Sequence, residues 1–154
     1  MCDIKTKTDL KTQVVYKVVM RSIENDKPAY YSWFAGTPVK KGKAVAQTFE
    51  LHYQMSQLFA TRMLKHYDIS ESHYNSYMIG KVSGFERKED AFLLFRELYS
   101  KRFACVVAIT LGGEIMQGTA NRITASVPYH HITFAGTEIK SIKELKIPKE
   151  YTEL

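Results

Sequence analysis

Between residues 14 and 21 the chain alternates: Val14, Tyr16, Val18 and Met20 fall on one side of an extended backbone, and Val15, Lys17, Val19 and Arg21 on the other. A period of two, rich in β-branched residues, predicts a strand. Asn25-Asp26-Lys27-Pro28 has turn chemistry, so residues 30–36 read as the returning strand of a hairpin with a heavy aromatic load. The pattern changes over residues 44–67. Gly and Pro are absent there, and Val45, Phe49, His52, Phe59, Met63 and Tyr67 recur near the helical period, which predicts the longest helix, with 48–53 open to a local strand. Residues 77–82 suit a short strand or an extended lead-in.

A second helix is predicted over 87–99, burying Ala91, Leu94, Phe95 and Leu98 at spacings of three and four, with Glu89 and Asp90 at its positive end. Ser83-Gly84-Phe85-Glu86 has the spacing of a capping box, which would start it a turn earlier. Residues 103–110 and 114–123 are expected as two strands joined by a hairpin at Gly112-Gly113, since paired glycines accept the positive φ of tight turns. Residues 131–135 make a further short strand. From 137 to 150 the reading stays open: Ile139, Ile142 and Leu145 suit successive helical turns, while Leu145 and Ile147 suit an edge strand. Residues 1–12 are polar and aperiodic and are expected as a flexible arm or a poorly fixed edge. The sum is an α+β fold in one domain over 13–154, a mainly antiparallel sheet packed against two amphipathic helices.

The order of these elements, with Tyr16-Lys17-Val18-Val19, the hairpin return at Tyr31-Ser32, the basic turn at Lys41-Gly42, and Gly84-Phe85 leading to Glu89-Asp90-Ala91 before a Gly-Gly strand pair, resembles small uncharacterised α+β domains of phage and prophage genomes. The likeness lies in the order of elements more than in matching residues. The chain departs from that pattern in the long 44–67 segment and in Arg87-Lys88, where such domains carry a Ser or Thr cap. The resemblance implies a compact α+β fold and a mobile-element origin, and carries over no catalytic residue.

Composition narrows the classes. No apolar run approaches the ~20 residues of a membrane helix, so no membrane role is expected. The opening residues lack a secretory h-region, and Cys2 and Cys105 are no disulfide framework, so a reducing cytoplasm is the expected compartment. Cys105 sits in an apolar run and reads as a small buried hydrophobe. The net charge of +6 is concentrated in Lys40, Lys41 and Lys43 beside Gly42, in Arg62 and Lys65, in Arg87-Lys88, in Lys101-Arg102, and along Lys140, Lys143, Lys146 and Lys149. A basic glycine loop followed by two cations three residues apart on one helical face is suited to a phosphate.

Catalytic signals are thinner. Only His131-Ile132-Thr133 has the His-x-Thr form of a two-histidine phosphoesterase, and the second motif that such chemistry needs is missing: His52, His66 and His73 are each followed by Tyr and then by Gln, Asp or Asn. Those His-Tyr pairs read as core packing or as a base-stacking surface. Adjacent His130 and His131 point to opposite faces of a strand, so no metal site is expected, and no cofactor motif is present. The expectation is a non-enzymatic protein that captures a nucleotide or nucleic acid through Lys40, Lys41, Lys43, Arg62, Lys65, His131 and Thr133. The competing readings are an accessory factor that blocks a host protein, through the aromatic segment 30–34, and a phosphoesterase using His131 and Thr133. Edge strands and abundant tyrosines also make a homodimer an expected assembly.

Overall fold

The structure is a computed structural model that describes residues 2–32, 37–44, 80–98, 102–121 and 130–152. Its described part is mainly antiparallel β. Strands β1 (Cys2–Lys7), β2 (Gln13–Glu24), β3 (Lys27–Ser32), β4 (Pro38–Val39), β5 (Gly42–Lys43) and β6 (Val82–Phe85) precede helix α1 (Lys88–Arg96), and β7 (Ala104–Asn121), β8 (His130–Leu145) and the single-turn helix α2 (Lys149–Thr152) follow. The α+β expectation is therefore corrected: among the described residues only α1 is an amphipathic helix of more than one turn. The helix expected over 44–67 lies outside the described residues except for Ala44, which is buried beyond β5 and donates its N–H to Thr137 O.

The strand pairings form a closed circuit. β7 runs antiparallel to β8 from Val106 to Asn121, β8 pairs with β6, β6 meets β2 at Phe85 and Tyr16, and β2 returns to β7 through eight residue pairs from Gln13–Leu111 to Met20–Ala104. The closure leaves no room at Gly84, where a Cβ would lie 2.8 Å from Val15 Cγ2 and 2.9 Å from Tyr16 O. β3 and β4 extend the sheet beyond β2, β5 adds to β8, and β1 pairs along the far half of β7. Residues 2–7, expected as part of a flexible arm or a poorly fixed edge, form an edge strand.

Alternation sorts β2 and β7 into two faces. Val15, Val19, Val107, Ile109 and Leu111 point into the circuit and bury completely with Phe134 and Ile139. Val18 and Val106 point outward, beneath Ala91, Phe92 and Phe95 of α1. α1 begins at Arg87 with no side-chain cap, and the expected capping box does not form because Ser83 is held in β6. The β2–β3 hairpin turns at Asn25 and Asp26, with φ of 51° and 61°, a pair of left-handed residues that matches the twist of the flanking strands.

The hairpin expected at Gly112-Gly113 is corrected. Gly112-Gly113 does not end a strand. It bulges a continuous β7 against β8, where Gly112 pairs with Glu138 and Ile115 with Gly136. Gly113 takes φ 69°, and the Thr137 hydroxyl fills the space a Cβ would need while accepting a hydrogen bond from Glu114 N at 3.0 Å. Glycine's left-handed conformation serves a bulge as well as a turn. Of the two readings of residues 137–150, the strand holds through Leu145, paired to β7.

Candidate functional site

Two places gather chemistry. The first is a polar cluster at one end of the inner face. Arg21 Nη1 lies 2.7 Å from Glu144 Oε2, and Tyr30 OH donates to Glu144 Oε1 at 3.1 Å. The register explains the meeting, since Tyr30 pairs with Arg21 on β2, and Glu144 pairs with Val107 on the same face. Burial, then the Glu144 charge, pushes the neighbouring Cys105 thiol up to about 12 and raises the Tyr30 phenol above its usual range. Both groups stay protonated at neutral pH. Glu144 already accepts from two partners, so the cluster has neither a thiolate nor an unoccupied base, and it reads as an anchor between β2, β3 and β8.

The second is a row of lysines on the outer face. Gly42 pairs with Ile139 and Lys43 with Glu138, so the bend at Lys41 that leads into β5 joins this row next to the Ile139–Lys140 stretch of β8. Lys140 is the extra residue where the β7–β8 register shifts between Thr110 and Leu111, and its aliphatic stem lies across Gly112. Lys143, opposite Ala108, shares the outer face with Leu145, opposite Val106. Lys146 and Lys149 follow. All of these lysines and Lys40 are exposed, and none forms an ion pair with a described carboxylate; Lys7–Glu114, Arg21–Glu144 and Arg87–Glu89, which do pair, lie outside the row. Glu138, opposite Lys43, is the acidic interruption in the row.

The row ends in a cleft of about 300 Å³ between α1 and α2, lined by Lys88, Glu89, Phe92, Leu145, Lys146, Pro148, Glu150 and Tyr151. The Phe92 and Tyr151 rings stand 5.3 Å apart at 39°.

The residues expected at a ligand surface are only partly united. Lys40 and Lys41 lie between β4 and β5 and Lys43 on β5 itself, while Arg62 and Lys65 fall outside the described residues. Thr133 is 1 % exposed on β8, between Phe85 and Gly118, so its hydroxyl does not face solvent as a phosphoesterase would need. His131 lies two residues before it on β8, and His52, His66 and His73 lie outside the described residues. The aromatic segment 30–34 is described only to Ser32, and the Tyr30 and Tyr31 hydroxyls are taken by Glu144 and Glu24. Sequence reading noted Lys140, Lys143, Lys146 and Lys149 as a basic run but left them out of the site. Only the β5–β8 pairing joins them to Lys41.

Among the described residues no group of three His, Cys, Asp or Glu side chains is placed to hold a metal ion. No described helix is long and apolar enough to cross a membrane. No family model, curated protein or solved structure matches the chain.

Proposed function

We propose that this protein binds a nucleic-acid strand without transforming it, through the lysine row from Lys41 and Lys43 across Lys140 and Lys143 to Lys146. The observation that carries the reading is the gathering along β5 and β8 of exposed lysines that form no ion pair with a described carboxylate, drawn from segments almost a hundred residues apart in sequence. Lys140 and Lys143 are separated by about 10 Å of strand, so the row extends over several nucleotides and suits a polyanion better than a single phosphate. An isolated lysine gains little from water-exposed charge. Several in a row release several counterions together, and affinity then comes from the sum. The buried Thr133 and the protonated Cys105 favour capture over hydrolysis.

Fluorescence anisotropy with a labelled thymidine decamer at low salt tests the reading. Replacing Lys41, Lys140 and Lys143 by alanine is expected to weaken binding at least about tenfold. A control with Lys11, Lys27 and Arg102 replaced, which removes the same charge elsewhere, is expected to change it about twofold or less. Equal losses in the two triple variants would reduce the row to a general basic surface.

A further inference from the structure

We infer that the cleft between α1 and α2 receives one base of the bound strand, an inference that rests on the proposed lysine row. Lys143 precedes the cleft-lining Leu145 by two residues on the same strand face, and Lys146 lines the cleft itself, so a backbone following the row arrives at its mouth. The interior offers what a base requires and a phosphate does not: Leu145 and Pro148 as apolar wall and the tilted rings of Phe92 and Tyr151. Phe92 is buried and Tyr151 half-buried, so Tyr151 is the ring available for stacking.

Charge in the cleft has two signs, each with a use. Lys88 and Lys146 are placed for the phosphates flanking an inserted base, and the Glu150 carboxylate is an acceptor for a ring or exocyclic N–H. A bare polyphosphate would meet Glu89 and Glu150 as repulsion, and a purely apolar group would leave all four charges unused. At about 300 Å³ the cleft lies at the lower end of small-ligand sites, large enough for one base and its sugar and too small for a folded partner.

The test compares the thymidine decamer with the same strand carrying abasic sites throughout, and with thymidine monophosphate. The wild-type protein is expected to bind the base-bearing strand at least about fivefold more tightly than the abasic one, the scale of one lost stacking contact. Tyr151→Ala should remove that preference without weakening the abasic strand, and Tyr151→Trp should restore it. A preference that survives Tyr151→Ala, with binding still dependent on Lys41 and Lys140, would overturn the cleft and leave the row standing. Binding of neither strand would overturn both. Thymidine monophosphate binding as tightly as the decamer, unaffected by loss of Lys41 and Lys140, would overturn the inference by making the cleft a free-nucleotide site.

Discussion

The Lys140 stem lies so close over Gly112 that a Cβ at Gly112 would overlap its carbons. The two residues sit at the double irregularity of the β7–β8 ladder, so one local distortion both bends the sheet and aims a cation along its outer face. Gly112→Ala is expected to displace a flexible side chain at little cost, within about 0.5 kcal/mol of stability. Oligonucleotide affinity should nevertheless fall, because Lys140 must leave the row. Urea denaturation and anisotropy on the same variant check the two halves.

Gly113→Ala should behave oppositely. It forces a side chain into φ 69° and against the Thr137 hydroxyl, which also receives the Glu114 N–H. The left-handed conformation alone costs about 1–2 kcal/mol, and the clash adds to it. A urea midpoint equal to that of the wild type would show that the bulge is not formed as described.

Asp26→Gly in the β2–β3 turn is expected to stabilise the protein by up to about 1 kcal/mol, because Asp26 holds φ 61° in the position where Asn-Gly is the favoured pair. Thermal unfolding of this exposed variant checks it, and a lowered Tm would contradict the turn assignment.

The thiol makes a pH prediction. In the unfolded chain Cys105 loses its proton near 9.0, whereas in the fold it holds it to about 12. Between those values the folded state binds the extra proton, so stability falls as pH rises through that window, with Tyr30 acting in the same direction from 10.0 upward. In a Cys2→Ser background, Cys105→Ala should flatten this decline relative to the parent. A thiol reagent near pH 8 should label Cys105 only after denaturant is added. Rapid labelling of the native protein would contradict its burial.

What could be read in advance depended on whether local pattern and tertiary surroundings agreed. β2 showed itself because Val15 and Val19 face the closed circuit while Val18 faces α1, and both demands fall on a strict alternation. α1 was legible from Ala91 and Phe95 at helical spacing. β8 was not. Its bulge at Lys140 shifts the phase, putting Ile139 and Ile142 on one face at a spacing of three, which imitates a helix. Gly112-Gly113 misled in the same way, its left-handed freedom spent on a bulge. The site was half visible: the lysines are plain in the sequence, but their union needs β5 to pair with β8. The burial of Thr133 likewise needs β6 beside it.

The salt dependence of oligonucleotide binding tests the central claim most directly. For single strands each neutralised phosphate contributes about 0.7 to the slope of log affinity against log salt concentration, so losing Lys41, Lys140 and Lys143 together should reduce the slope by about two. The Lys11, Lys27 and Arg102 control should leave it unchanged. A slope near zero in the wild-type protein, or one that those three row lysines do not alter, would contradict the lysine row as a nucleic-acid surface.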